Sequence, residues 1–306
     1  MRQKGPNEIL RSSRACRRTA FSTSAAITGN TTLRQARRER KVTELDAKSP
    51  ILLFDSGLGG LSVLSALREE LPDAPVLYAA DTAGLPYGDK TEAEIAARVA
   101  GLLGRLSERF HPRLITIACN TASTIALGMV RSVLHVPIVG TVPAIKPAAK
   151  ITKTGTIGLL GTAATIRQGY VDDLEAKFAN GHRLIRFAHP GLVGAAETKL
   201  RGGRPHDAVF AEAAAGLRKQ DGGEAIDTVV LACTHFPLVE DELRAAIGPD
   251  VAFVHGAQGI ARQVARLIEG QDFSRNDADR AVVTGEADRA LAAALAPFGI
   301  GSVERF

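Results

Sequence analysis

Residues 114–124 read LITIACNTAST, an apolar run that ends on Cys119, Asn120 and Thr121. Residues 229–238, VVLACTHFPL, repeat the arrangement with an apolar run, Ala232, Cys233, Thr234 and His235. A short continuous apolar run is what a parallel strand covered on both faces requires. One cysteine at the end of such a strand is simply a small core residue. Two in the same setting, each followed by hydrogen-bonding side chains and the start of a helical pattern, point to paired reactive thiols. Free N–H groups and the positive end of a helix favour thiolates and anions.

The pattern extends in both directions. ILLF (51–54) runs into the loop DSGLGG (55–60) and then into LSVLSALREEL, which has helical spacing. VLYAAD (76–81) reads as a strand, EAEIAARVAGLLGRLSERF (92–110) as an amphipathic helix, and PIVGTV (137–142) as another strand. Apolar runs alternating with helices predict an α/β fold, a parallel sheet with helices on both faces. In such sheets ligands bind at loops beyond the carboxyl ends of the strands. TIGLLGTAATI (156–166) then restarts the pattern: Gly161 lies 72 residues before Cys233, as Asp55 lies 64 before Cys119. Two similar parallel-sheet halves are expected, with the active site between them. The expected boundaries are 50–142 plus 252–306 for the first half and 143–251 for the second. The closing segment, with VAFV (251–254), a helix over 259–270 and RAVVTGE (280–286), is assigned to the first half.

The net charge of +5 is unevenly placed. Residues 1–49 hold 12 Lys and Arg against 4 Asp and Glu, whereas the remainder holds 26 against 29. The body therefore offers no electrostatic case for nucleic acid. The Arg- and Ser-rich tail is read as a disordered basic extension, a composition shared with transit peptides and nucleic-acid arms. No apolar stretch reaches the roughly 20 residues a membrane helix needs. Three cysteines, one of them Cys16 in the tail, do not make a disulfide framework and fit reduced thiols in the cytoplasm.

Reversing a stereocentre by proton transfer needs a base on one face of the carbon and an acid on the other, and two matched thiols from two matched halves meet that need. GLGGLS is not a dinucleotide fingerprint and no lysine stands in a pyridoxal-phosphate setting, so cofactor-free chemistry is expected. Six motifs occur in order: DSGLGGLSVL (55–64), YAADTAGLPYG (78–88), ACNTAS (118–123), VPIVGTVPAIKPA (136–148), GTAAT (161–165) and ACTHFP (232–237). Through them, over about residues 51–285, the chain resembles the glutamate racemases of the cofactor-independent aspartate/glutamate racemase superfamily.

The resemblance implies a pseudo-symmetric, flavodoxin-like three-layer sandwich acting on glutamate as a cytoplasmic homodimer without metal, cofactor or membrane. Its product, D-glutamate, would serve peptidoglycan synthesis. It casts Cys119 and Cys233 as catalytic thiols, Asp55 as the acidic residue beside the first, and His235 and Glu197 as groups assisting the second. Substrate contacts fall on Asp55, Ser56, Pro86, Tyr87, Gly88, Asn120, Thr121, Thr162, Thr165 and Thr234. The chain departs from the family at His189-Pro190, where Cys-Pro is usual, and at His255-Gly256, where Asp-Ser is usual; both histidines are read as structural or surface residues.

Three other readings stand beside this one. An aspartate or hydantoin racemase would share the thiols. Zinc held by Cys119, Cys233 and His235 would lack the usual fourth ligand and CxxC spacing. A partner-binding protein would act through the basic tail.

Overall fold

The computed structural model describes residues 46–306. The expected basic extension, with Cys16, thus lies outside the described residues up to position 45. Residues 46–49, the end of that segment, pack against Arg113, which is buried beside them. All five N–H groups of a buried guanidinium need acceptors. Arg113 finds three in the carbonyls of Asp46, Ala47 and Ser49, at 3.0, 3.1 and 2.7 Å. The other two are Gln271 Oε1 and the Asp272 carbonyl, both at 3.1 Å.

The strands are β1 (Ile51–Asp55), β2 (Val76–Ala80), β3 (Leu114–Ile117), β4 (Ile138–Gly140), β5 (Thr156–Gly161), β6 (Arg183–Ala188), β7 (Thr228–Ala232), β8 (Ala252–Val254), β9 (Asp279–Val283) and β10 (Ile300–Arg305). They form two sheets, ordered β10-β9-β2-β1-β3-β4 and β6-β5-β7-β8. Every pairing is parallel. The order 2-1-3-4 recurs as 6-5-7-8, so β1 corresponds to β5 and β3 to β7. This is the internal likeness that the spacing of the two cysteines anticipates. One assignment changes: β8 pairs with β7, so the chain returns to the first sheet only after Val254, with β9 and β10.

Both faces of each sheet are covered. Ile51 and Leu53 of β1 belong to one apolar cluster and Leu52 and Phe54 to another, as period-two alternation demands. Leu231 and Val230 of β7 divide between two clusters in the same way. This is a three-layer sandwich, and it explains why these strands read as unbroken apolar runs.

At the tip of the second sheet, Asp227 gathers the turn before β5. Its carboxylate accepts from Thr152 Oγ1 at 2.6 Å and from the amides of Lys153 and Thr154 at 2.6 and 2.9 Å. Some burial opposes ionisation, but these donors outweigh it and lower its pKa from 3.8 to about 2. A depressed carboxylate contributes stability that is complete above its unfolded value and lost as pH falls through the folded one. Asp227→Asn is expected to cost about 1 kcal/mol at neutral pH, discounted for this group's exposure. In urea titrations the gap from wild type should narrow as pH drops towards 2; a gap independent of pH would refute the assignment.

Candidate active site

In both sheets the strand order reverses at the central pair, β1 and β3 in the first and β5 and β7 in the second. Such switch points open a crevice beyond the strand ends. Phe54 is level with Ile117, which continues to Ser56 level with Cys119. Gly161 is level with Ala232, which continues to Thr162 level with Cys233. The two thiols thus occupy equivalent positions in the two halves, each beside a hydroxyl residue.

One cavity of about 170 Å³ is lined by both thiols together with Ser56, Asn120, Thr121, Thr162, Thr234 and His235. Pro86, Tyr87 and Gly88 supply another part of its wall. Asp55, Thr165 and Glu197 stand behind that lining and act on it through hydrogen bonds. Thr121 Oγ1 lies 3.0 Å from Thr162 Oγ1 and 3.1 Å from Thr165 Oγ1, joining the halves by a hydroxyl cluster.

Cys119 is the N-cap of the helix Asn120–Val133, and its sulfur accepts from the Ala122 amide at 3.4 Å. Ser56 Oγ lies 3.6 Å from the same sulfur. Burial, reinforced by the charge of Asp55, nevertheless pushes the thiol up to about 12, so Cys119 is held neutral. Asp55 is itself raised, by burial above all, against the opposing pull of His235, the Gly57 amide and Thr234. Its Oδ1 accepts from Gly57 N at 2.9 Å and its Oδ2 from Thr234 Oγ1 at 3.0 Å.

Cys233 has a different environment. The helix start expected behind it is a 3-10 turn, Phe236–Val239, with the α-helix delayed to Glu240. Pro237 lacks an N–H and suits only the opening of a helical segment. The second sulfur is served instead by an imidazole: His235 Nδ1 lies 3.8 Å from Cys233 Sγ. His235 Nε2 lies 2.9 Å from Glu197 Oε1 and 3.2 Å from the Gly59 amide. One ring nitrogen cannot both donate to the first and accept from the second.

The carboxylate is closer and charged, so Nε2–H donates to Glu197, and the Gly59 amide is a packing contact. Burial alone would discharge the imidazole, but the Cys233 sulfur and Glu197 raise it well above its usual range. For Glu197, burial is outweighed by His235 and the Leu58 amide, which donates to Oε1 at 2.6 Å, and the carboxyl is lowered. The pair is therefore imidazolium and carboxylate, with the second ring N–H directed at Cys233.

The loop after β1 grips this pair closely. A Cβ at Gly59 would lie 2.4 Å from Thr234 Oγ1 and 2.5 Å from His235 Nδ1, below any real contact. Gly59→Ala is expected to leave the melting temperature within a few degrees of wild type and to reduce kcat/KM about tenfold or more by displacing His235. Unchanged turnover in the folded variant would show that the position of the imidazole does not matter.

His189, read as a structural or surface residue, is buried at the cavity wall, with Nδ1 accepting from Gly191 N at 3.1 Å and Nε2 lying 3.1 Å from Glu212. It follows β6, whose two arginines break the apolar run and hid this strand end in the sequence. His255 lies outside this lining and accepts from Ala257 N at 3.4 Å. Leu85, inside the motif 78–88, and Asp89 and Val193, which the sequence did not single out, also face the cavity.

This fold and site define an α/β protein of two similar halves, each bringing one thiol to a shared cavity. Residues 61–264 match the Asp/Glu/Hydantoin racemase family. The glutamate racemase of Sphingopyxis alaskensis is 60% identical over 259 residues, covering 84% of this chain and 97% of that protein. Escherichia coli glutamate racemase, crystallised with L-glutamate and the activator UDP-MurNAc-ala, superposes with a TM-score of 0.78 at 37% identity, over 84% of this chain and 98% of that one. A glutamate racemase isoform from Bacillus anthracis gives 0.72 at 28% identity, over 84% and 97%. The chain belongs to the Asp/Glu/Hydantoin racemase family. Its relatives within it make it an amino-acid isomerase of the glutamate racemase kind.

Proposed function

We propose that the protein interconverts L- and D-glutamate by passing the α-proton between Cys119 and Cys233, with no cofactor. The observation that carries this reading is the equivalent placement of two thiols, at the ends of β3 and β7, on one cavity. One sulfur, as thiolate, takes the α-hydrogen: the C–H bond breaks, an S–H bond forms, and the electron pair passes into the substrate carboxylate. The other, as thiol, gives its proton to the opposite face.

The unlike surroundings of the sulfurs support this division. Cys119 is neutral and ready to give a proton. Cys233 faces a charged N–H that stabilises negative charge on sulfur. After one turnover the roles are exchanged, as a reversible reaction requires. Asn120, Thr121, Thr162 and Ser56 offer donors to the substrate's carboxylates, which spreads the charge that develops as the weakly acidic proton leaves.

Purified protein with L-glutamate in deuterated buffer, and nothing else added, should lose optical activity and gain α-deuterium. No exchange with either enantiomer would refute the proposal. The same reading makes the enzyme a cytoplasmic homodimer that supplies D-glutamate for peptidoglycan; reduced thiols in the site suit that compartment. Growth of a D-glutamate auxotroph on the expressed chain, and sedimentation at twice the chain mass of 32.3 kDa, test those two points.

A further inference from the structure

Asp81 takes no part in the chemistry above, yet its carboxylate is fully buried just beyond β2. Tyr87 donates its phenol proton to Oδ2 at 2.5 Å. Arg98, from the helix Glu92–Phe110, donates Nη2–H to Oδ1 at 2.6 Å and Nε–H to Oδ2. Thr284, just past β9, donates its hydroxyl to Oδ1 at 2.5 Å and accepts from the Ala83 amide at 3.0 Å. Three separate segments thus converge on one carboxylate. The junction leaves no spare room: a Cβ at Gly84 would lie 2.4 Å from Asp81 Oδ2, and one at Gly285 would lie 2.6 Å from Thr82 Oγ1.

The loop tied down here is the one that presents Pro86, Tyr87 and Gly88 to the cavity. On its far side it meets the opposite half, where a Cβ at Gly88 would come within 3.2 Å of Thr162. We propose that Asp81 is a positioning residue for racemisation: by holding the Tyr87 phenol it sets the Pro86–Gly88 wall at the distance the substrate needs. The chemical reason for a carboxylate is the number of donors it must take. A buried tyrosine hydroxyl needs an acceptor, and only an ionised carboxylate also accepts from a guanidinium and a threonine at the same point. An amide there would turn two of its own hydrogens towards Tyr87 and Arg98. This role rests on reading that wall as a substrate contact.

The test uses the full chain and follows glutamate racemisation in both directions with melting temperature beside it. Asp81→Asn should raise KM about tenfold while kcat falls less than threefold. In a Tyr87→Phe background the further rise should be under twofold, because Asp81 acts through the phenol. Thr284→Val should raise KM about threefold with little change in melting temperature, and it decides the matter if Asp81→Asn does not fold. A soluble Asp81→Asn or Thr284→Val with wild-type KM would overturn the role, as would Asp81→Asn and Tyr87→Phe effects that multiply independently. Gly88→Ala separates the two readings. If it leaves KM unchanged, the wall is not a substrate contact; if it raises KM while Asp81→Asn does not, only the role of Asp81 falls.

Discussion

Cys119→Ser and Cys233→Ser are each expected to lower kcat/KM by about 10²- to 10⁴-fold, the span of a lost acid or base. The loss must be equal for both enantiomers whichever thiol is removed. L- and D-glutamate have the same free energy, so the ratio of the two kcat/KM values is fixed at one by the equilibrium constant. Racemisation rates alone therefore cannot show which sulfur serves which enantiomer. Exchange can. With one thiol left, a proton taken from one face is returned from that face after mixing with solvent. Each variant should then incorporate α-deuterium into one enantiomer faster than it inverts it, and the two variants should choose opposite enantiomers. Exchange of the same enantiomer by both, or turnover near wild type in either, would sink the two-thiol mechanism.

The second large effect is expected at Glu197. Glu197→Gln removes, after the Cys233 sulfur, the second group that holds His235 charged against burial, so the imidazole should give up its proton at lower pH. We expect kcat/KM near pH 8 to fall about 10²-fold and its alkaline limb to move to lower pH. A profile of wild-type shape would mean that the charge on His235 does not act on Cys233. Stability should follow the same logic. The lowered Glu197 contributes above its unfolded value of 4.5, and the raised His235 contributes below 6.5. The pair's contribution is therefore complete between those values. It is lost as pH falls through the folded value of Glu197 or rises through that of His235. Breaking a buried pair of this kind by removing one partner costs about 3 kcal/mol, so the variant should unfold at clearly lower urea.

Much of this was legible in the sequence, for a physical reason. A parallel strand covered on both faces is buried at every position. β1, β2, β3, β5 and β7 read accordingly as runs that are apolar but for Asp55 at the end of β1 and one threonine each in β3, β5 and β7. The candidate site residues then sit at or just past the end of each run, where Asp55, Cys119, Thr162 and Cys233 stand. Edge strands escape that constraint. β6 carries Arg183 and Arg186, and β10 is exposed over most of its length, so neither reads as a strand.

The asymmetry of the two thiols was equally hidden. LITIACNTAST and VVLACTHFPL look alike, yet one is followed by a helix and the other by a 3-10 turn that brings an imidazole to the sulfur. Asp81 gave no signal because its partners lie 6, 17 and 203 residues away.

The order in which the strands are made has a consequence for synthesis. On the ribosome β1 to β4 emerge first, and the whole second sheet follows before β9 appears. β2, an apolar strand, borders β9 in the finished sheet, and 199 residues separate Ala80 from Asp279. At the usual pace of translation the nascent chain carries that bare edge for roughly 10 to 40 s. Unpaired apolar edges invite pairing with other chains. The clamp on Asp81 is also incomplete until Thr284 is translated, so the Pro86–Gly88 wall of the cavity is fixed only among the last steps of the chain's manufacture.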